Sequence, residues 1–486
     1  MMNVYCVSSR LIFCILFLIA LHSTEVAIAT ENSGQECDNP DASTSTVEDS
    51  ILSLQYSSDE SDNDDEQKAH KAKDFELYFS AYSELHHQKD MLTDTHRMDS
   101  YFTAISANAE VAFKDKIVMD VGTGSGILAI WAAKAGAKKV YAIEYTDMAL
   151  NARKLVEANG VADIVTVLQG TVEGIKLPLK EDGFGDGENE EVVDVIISEW
   201  MGYMLIRESM LDSVLVARER YLKKDTGLMF PSHASILMAP IVDEENRVNN
   251  NYDYNQAMDE WDEFVASTKE KYGGVDYSVL TEAFEKEQLE YYIGQSQWTD
   301  LPEDTILATP QVIKTLDLMT CTHKDTRGIF DSVASSREGN ADTNEFDFVL
   351  DPNDAIVSGF ASWFTTDFKS RTDSMVSNDA PKLVKTVTLN TGPDQGYTHW
   401  GQQAFYLIEG IPVENSLDRG DGTLPEGGIG GQSTTVHLKG TLEMFRTKAN
   451  TRLYKCRIQH YLEEIDNQSQ KVTRTTKPIE NVFDIP

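Results

Sequence analysis

Asp120-Val121-Gly122-Thr123-Gly124-Ser125-Gly126-Ile127 decides how the rest of this chain is read. Ile117, Val118 and Met119 precede it, a short apolar run that stops at Asp120 as a buried parallel strand does. The three glycines remove side chains where the backbone has to bend sharply, and they let a ligand lie against it. Ile127 to Ala135 then reads as an alanine-rich helix closed by Gly136. Val140 to Ile143 reads as the next strand and delivers Glu144 about twenty residues past the first glycine, where an acidic side chain accepts hydrogen bonds from ribose hydroxyls. The pattern predicts an α/β unit built to hold a ribose-bearing ligand.

The spacing is G-x-G-x-G and not the G-x-G-x-x-G that seats a pyrophosphate, and Asp120 stands just before the turn. A cofactor with no phosphate to place, but with a cationic sulfur and an amino group, suits an acidic strand end better than a dinucleotide does. S-adenosylmethionine is therefore expected over NAD, with Asp120, Gly122, Gly124 and Glu144 as candidate cofactor-binding residues.

The 486 residues leave room for two or three domains, and 41% hydrophobic content is enough for real cores. A net charge of −38 argues against nucleic-acid binding through a basic surface and favours arginine- or lysine-rich partners, although most of these carboxylates need no role beyond solubility. Met1 to Thr30 has a basic start at Arg10, an apolar run from Leu11 to Leu21 and a small-residue exit at Ala27-Ile28-Ala29. That is the pattern of a cleavable secretory signal, with an apolar run too short to span a bilayer comfortably, and it suggests the secretory pathway or membrane association. Of the five cysteines, Cys37, Cys321 and Cys456 would survive cleavage after Ala29, and they pull the other way: they form an odd, scattered set with neither a disulfide framework nor a metal spacing. Residues 31–71 turn to Ser, Thr, Asp and Glu and are expected to be disordered, since they cannot bury enough apolar surface to offset the entropy of ordering.

Between Asp74 and Tyr101, aromatic and apolar residues recur at helical spacing and predict an amphipathic helix or helix pair. Their aromatic excess beside Arg97 suggests a lid over a cationic ligand, with Arg97 paired to a carboxylate. After Glu144 a helix is expected from Met148 to Asn159 and a strand from Ile164 to Leu168, followed by a loop that carries Glu173 to the carboxyl edge of the sheet. Residues 180–191 read as an acidic inserted loop. The next strand, Val192 to Ser198, empties into Glu199-Trp-Met-Gly-Tyr-Met-Leu-Ile-Arg-Glu208-Ser-Met210. Carboxylates at 199 and 208 cannot face each other on one straight strand or helical turn, but a loop that doubles back brings them together. They would then repel unless a cation sat between them, and a planar guanidinium is the cation that best matches two carboxylates.

Taken together, Asp120-Val-Gly-Thr-Gly-Ser-Gly, Ser198-Glu-Trp-Met-Gly-Tyr and Tyr397-Thr-His-Trp400 resemble the protein arginine N-methyltransferases, over roughly Asp74 to the carboxyl terminus. The resemblance implies a Rossmann-like S-adenosylmethionine-dependent domain (72–231, with amino-terminal lid helices) followed by a β-barrel substrate domain (232–486) carrying a helical dimerisation arm. It implies that Glu199 and Glu208 grip the substrate guanidinium, that Asp94 pairs with His399, and that Thr398-His399-Trp400 closes the far side of the pocket. Tyr82, Tyr203 and Trp400 would wall the arginine channel. Phe79, Gln88, Met91, Arg97, Glu173 and Met210 would join the cofactor site, Arg97 on the methionyl carboxylate and Glu173 on the adenine. Gln88 stands where many members have histidine and others glutamine. Met91 and Met210 match methionines of type I members, which make asymmetric dimethylarginine. The family also implies a homodimer, a cytoplasmic or nuclear location, and substrates with histone-like or glycine- and arginine-rich tails.

Beyond Pro231-Ser232, β-like runs at Ile236–Ile241, Val312–Met319, Ala355–Phe364, Leu383–Leu389 and Thr434–Leu442 suit a sandwich or barrel. Tyr252 to Tyr292 reads as helical and charged, with Trp261, Phe264, Tyr272, Tyr277, Leu280 and Phe284 as contact residues, and Gly420 to Gly431 reads as an inserted loop.

Overall fold

A computed structural model describes residues 79–80, 82–179, 192–329, 341–342, 344–351, 356–373, 375–413, 434–447 and 450–485. The signal-like segment (1–30), the acidic stretch (31–71) and the insertions expected at 180–191 and 420–431 lie outside these residues. Among the described residues no helix is long and apolar enough to cross a membrane.

Two helices lead the named elements among the described residues, α1 (Leu85–Thr93) and α2 (Thr95–Ala107). They part at Asp94, whose extended backbone ends α1 and whose side chain accepts the Arg97 N–H at 2.9 Å to cap α2. A five-stranded parallel sheet follows, built from β1 (Ile117–Val121), β2 (Lys139–Glu144), β3 (Val165–Gln169), β4 (Val195–Ile197) and β5 (Leu228–Phe230) in the order β3-β2-β1-β4-β5. Helices α3 (Ile127–Lys134), α4 (Met148–Ala158) and α5 (Leu211–Tyr221) connect them. Every residue of β1 is buried, which explains a continuous apolar run in place of an alternating one. The chain moves outward from β1 in one direction through β2 and in the other through β4, so a crevice opens beyond the carboxyl ends of these central strands. β4 is shorter than the run from Val192 to Ser198 suggested. Asp194, at its start, spends its carboxylate on the Ile117 N–H (2.9 Å) and on Lys223 (2.7 Å).

Only Pro231 and Ser232 separate β5 from β6 (His233–Ile241), the first strand of the second domain. After β6 comes a helical arm, α6 (Glu244–Lys271) and α7 (Thr281–Gln288). The remaining strands are β7 (Gln297–Thr299), β8 (Gln311–Asp317), β9 (Gly328–Ile329), β10 (Ala341–Asp342), β11 (Glu345–Leu350), β12 (Ile356–Phe368), β13 (Val387–Asn390), β14 (Gln402–Pro412), β15 (Thr434–Arg446), β16 (Tyr454–Asp466), β17 (Val472–Thr475) and β18 (Ile479–Ile485). They form two antiparallel sheets: β10-β8-β6-β12-β14-β7 with β13 beside β12, and β11-β15-β16-β17 with β9 and β18 attached. Alternation is clean on β11, where Phe346, Phe348 and Leu350 turn inward and the residues between them face out.

Two expectations for this half need correction. The strand expected from Leu383 begins at Val387, because the N–H groups of Leu383 and Lys385 go instead to the side chains of Ser370 (2.9 Å) and Asn108 (3.0 Å). The arm starts before Tyr252, at Glu244, since Asp243 caps it and Asn251 ties it to the Ile408 carbonyl of β14 at 2.8 Å. Its aromatic residues touch one another yet stay partly exposed: Trp261 stacks on Phe284 at 4.2 Å and Phe264 meets Tyr277 edge-on at 5.2 Å, while Phe264, Tyr272 and Leu280 are exposed.

The two domains share packing. Phe230 of β5 contacts both Phe113 (5.2 Å) and Phe368 of β12 (5.8 Å), and Tyr101 of α2 meets Phe368 at 4.9 Å.

Candidate active site

The turn after β1 is glycine by necessity. Gly122 and Gly124 have φ of 72° and 54°, a left-handed backbone that costs other residues energy. Space is closed as well: a Cβ on Gly122 would lie 2.2 Å from the Met210 methyl, and one on Gly124 would lie 2.8 Å from Gln88 Oε1. The Gly122 and Thr123 N–H groups both donate to the Ile143 carbonyl at 2.9 Å, so the turn is fastened to β2. Glu144, at the end of that strand, accepts from the Gly124 N–H (2.9 Å) on Oε2 and from the Thr146 N–H and hydroxyl (2.8 and 2.7 Å) on Oε1. Beside this frame lies a cavity of about 330 Å³, within the range of small-molecule sites. Its wall includes Phe79, Gln88, Met91, Glu144, Glu173 and Met210.

Asp120 is not on that wall. It lies wholly buried, accepting the Thr123 hydroxyl on Oδ2, while Oδ1 has no hydrogen-bond partner. Burial pushes its carboxyl up to about 7, against the lowering effect of the Thr123 bond. Its role in this structure is to brace the turn, a correction to the expectation of direct ligand contact.

The loop after β4 does double back. Gly202 and Leu205 exchange backbone hydrogen bonds at 3.0 Å, and a Cβ on Gly202 would fall 2.2 Å from the Arg207 carbonyl and 3.2 Å from Glu208 Cγ. The return is tight enough that Met204, Leu205, Glu208 and Ser209, none of them glycine, all take positive φ. Glu199 and Glu208 consequently line the one cavity. Each is held by its neighbours. Arg97 donates to Glu199 Oε2 through Nη2 (2.9 Å) and Nε (3.2 Å), and the Met201 N–H donates to Oε1 at 3.2 Å. The Tyr82 hydroxyl donates to Glu208 Oε2 at 2.8 Å, and Arg207 lies 3.5 Å from Oε1.

Asp94, besides capping α2, receives both the backbone N–H (2.9 Å) and Nδ1 (2.7 Å) of His399 on Oδ2. Burial acts to raise its pKa, but the hydrogen bonds from His399 and Arg97 outweigh burial and hold the carboxyl below its ordinary value. Trp400 donates from Nε1 to the Met201 carbonyl at 2.9 Å, which fixes the Thr398–Trp400 segment against the Glu199 loop.

Protein arginine N-methyltransferase PRMT10 of Arabidopsis thaliana is 40% identical to this chain over 412 residues, covering 84% of the chain and 93% of its own length. The chain belongs to the protein arginine N-methyltransferase family. The arginine methyltransferase oligomerization subdomain matches residues 233–418, and the ribosomal protein L11 methyltransferase (PrmA) family matches residues 102–214. Among solved structures, that of Arabidopsis thaliana protein arginine methyltransferase 10, described as uniquely open, superposes with a TM-score of 0.66 at 38% identity, covering 84% of this chain and all of that one. The Trypanosoma brucei PRMT1 enzyme–prozyme heterotetramer with AdoHcy gives a TM-score of 0.54 at 27% identity, over 84% of this chain and all of that one. The fold is thus a Rossmann-like methyltransferase domain followed by a β-barrel domain.

Of the residues expected in the arginine methyltransferase site, Phe79, Tyr82, Gln88, Met91, Arg97, Gly122, Gly124, Glu144, Glu173, Glu199, Glu208 and Met210 share the cavity wall. Tyr203 and Trp400 lie off it: Tyr203 packs beneath the Arg207 guanidinium (5.4 Å), and Trp400 is buried against Phe364 (5.2 Å). Both residues thus brace the loop beside this cavity. His399 and Asp94 are also off the wall.

Three further residues were not singled out in the sequence. Tyr145 packs against Phe79 with tilted rings at 4.4 Å, a position that its adjacency to Glu144 made legible. His87 meets the Tyr82 ring edge-on at 4.8 Å; burial is the main cause of its lowered pKa, opposed by the Glu208 charge. Arg452, from the turn between β15 and β16, reaches the cavity from more than two hundred residues away, and no sequence signal announces it.

The donor set fits S-adenosylmethionine. The glycine cradle admits close approach, Glu144 ends β2 where ribose hydroxyls are met, and Arg97 supplies a cation for a carboxylate.

Proposed function

We propose that this arginine methyltransferase is a type I enzyme, converting arginine in basic protein segments to mono- and asymmetric dimethylarginine. The observation that carries the reading is the pair Glu199 and Glu208, brought to one cavity by the return of the chain over Gly202. S-adenosylmethionine is the cofactor, and when bound it supplies a methyl group on a cationic sulfur, open to in-line attack by a nitrogen lone pair.

Guanidinium has a pKa above about 12 and delocalised lone pairs, so it is a weak nucleophile. Two carboxylates against it draw positive charge toward the nitrogens they touch and leave the remaining terminal nitrogen richer in electrons. Positioning then supplies much of the rate. Tyr82 and the Met201 N–H set the orientation of the glutamates. Asp94 orients His399 through two hydrogen bonds, which leaves imidazole Nε2 to take up the proton released on transfer. Met91 and Met210 lie on the cavity wall, at positions that match methionines of type I members, which supports the asymmetric product.

The chain's negative charge would hasten encounter with histone-like or glycine- and arginine-rich tails. We further propose a homodimer. Phe102, Leu150 and Leu155 are exposed on α2 and α4, Tyr272 and Leu280 are exposed on the arm, and these apolar surfaces suit each other across two copies. Light scattering checks this, and a monomer at micromolar concentration would refute it.

The functional test is tritiated methyl transfer to an arginine-rich peptide, with a lysine-substituted peptide as control, followed by mass spectrometry that separates the two dimethylarginine isomers. Label on the arginine peptide alone and the asymmetric isomer are expected. The symmetric isomer, or product that stops at monomethylarginine, would overturn the type I reading.

A further inference from the structure

The loop that carries Glu208 is bonded to one turn of the barrel as well as to its own domain. The Glu208 N–H donates to the Arg452 carbonyl at 2.9 Å, and the Ser209 hydroxyl donates to the Thr451 carbonyl. One strand-end further, Tyr454 lies 3.2 Å from the Ser209 hydroxyl, while Arg446 pairs with Asp212 at 2.7 Å on the helix that continues the loop. The turn is itself well made: Asn450 accepts the Arg452 N–H on its side chain at 3.0 Å, and its carbonyl accepts the Leu453 N–H at 3.1 Å. Bonds from the barrel therefore fall on the two residues, Glu208 and Ser209, that end the loop in left-handed backbone.

The same turn points a side chain the other way. Among the described residues, Arg452 is the only one of the barrel domain on the cavity wall, and its guanidinium lies 5.2 Å over the Phe79 ring. Phe79 in turn packs on Tyr145, which directly follows Glu144. A planar cation over an aromatic face is attracted by the ring quadrupole, more strongly where water is displaced. Arg452, Phe79 and Tyr145 thus form a span from the barrel across the cavity to the end of β2.

We propose that Arg452 is a positioning residue: its guanidinium pins Phe79 over the bound cofactor while its carbonyl fixes Glu208, so that one barrel turn serves both the methyl-donor and the methyl-acceptor side of the site. The proposal rests on the reading of Glu208 as a guanidinium-binding carboxylate. Side-chain substitution leaves the carbonyl in place, so the two functions separate experimentally.

Arg452→Ala in the full-length protein should raise the cofactor dissociation constant, measured by calorimetry, roughly three- to tenfold. Its turnover at saturating cofactor should fall by less than its cofactor affinity, and its melting temperature should match wild type. Arg452→Lys keeps the charge but loses the flat face and should fall between the two. Phe79→Leu should weaken the cofactor to a similar degree, and the double variant should be no weaker than the worse single. These two milder variants carry the test should Arg452→Ala fold poorly. Unchanged cofactor affinity in Arg452→Ala, or effects of Arg452 and Phe79 that simply multiply, would overturn the proposal. Glu208→Gln separates the underlying reading: it should keep cofactor affinity and lose transfer, whereas full turnover would remove Glu208 from the acceptor site and the acceptor half of the proposal with it.

Discussion

The glycine turn after β1 and the doubled-back loop after β4 leave the same edge of the same sheet, and both contain left-handed backbone, but they are stabilised differently. In the turn the left-handed positions are Gly122, Gly124 and Gly126, residues for which such φ values cost little, and most of the turn's hydrogen bonds run to β2 or stay within the turn, with one to Gln88 of α1. In the loop they are Met204, Leu205, Glu208 and Ser209, each costing on the order of 1–2 kcal/mol in this conformation. Burial of Met204 and Leu205 offsets part of that cost, and the rest is met by distant partners: the Trp400 bond to Met201 and the barrel turn at Arg452. The glycine turn is a local structure, although the cavity beside it also draws on α1 and on Arg452. The acceptor's seat exists only in the assembled two-domain fold.

Four experiments would break or sharpen this contrast. Glu208→Gln is expected to have the largest effect, a loss of transfer on the order of 10³-fold with cofactor affinity nearly unchanged, read by labelled-methyl transfer beside calorimetry. Gly202→Ala comes next. Its Cβ meets a backbone carbonyl that cannot step aside, so the loop opens and turnover falls more than about 10²-fold while the cofactor still binds. A Gly202→Ala enzyme with normal turnover would show that the tight return is not what aligns the carboxylates.

Gly122→Ala should act on the opposite half of the contrast, weakening cofactor binding about tenfold, since its Cβ meets the flexible end of Met210 and its φ is unfavourable. Adding Met210→Ala relieves the collision and should restore part of the affinity, leaving about 1 kcal/mol of backbone cost. No recovery in the double variant would place the whole effect in the backbone.

The smallest effect expected is at Asp94. Asp94→Asn should lower turnover about tenfold and lower the melting temperature at neutral pH. Because the folded-state pKa is depressed, the carboxylate's contribution is fully present above the ordinary value of 3.8 and is lost as pH falls through the lower folded value. The difference in melting temperature between wild type and Asp94→Asn should therefore close only below about pH 4. Closure at higher pH would mean that His399 does not hold Asp94 ionised.

The local half of the site was legible in the sequence because strand, glycine spacing and helix lie within one run from Ile117 to Glu144, and each follows from backbone sterics. What spacing could not tell was that Asp120 sits under the turn instead of facing the cavity, since an acidic strand end reads alike in either case. The acceptor half was legible mainly through resemblance. Asp94 and His399 are 305 positions apart, and nothing in periodicity pairs them. Arg452 was invisible for the same reason. In the barrel, β16 escaped notice although Tyr454, Cys456, Ile458 and His460 alternate inward, because charged residues between them mask the run. Leu383 to Thr386 erred in the opposite direction: an apolar-looking run whose N–H groups are claimed by side chains elsewhere.

The bond between Ser209 and Thr451 spans 242 positions. A ribosome therefore completes the parallel sheet long before it makes the turn that finishes the neighbouring carboxylate's seat. A nascent chain released early would have the glycine turn but neither the anchor for Glu208 nor the guanidinium over Phe79, so premature products should be silent rather than promiscuous.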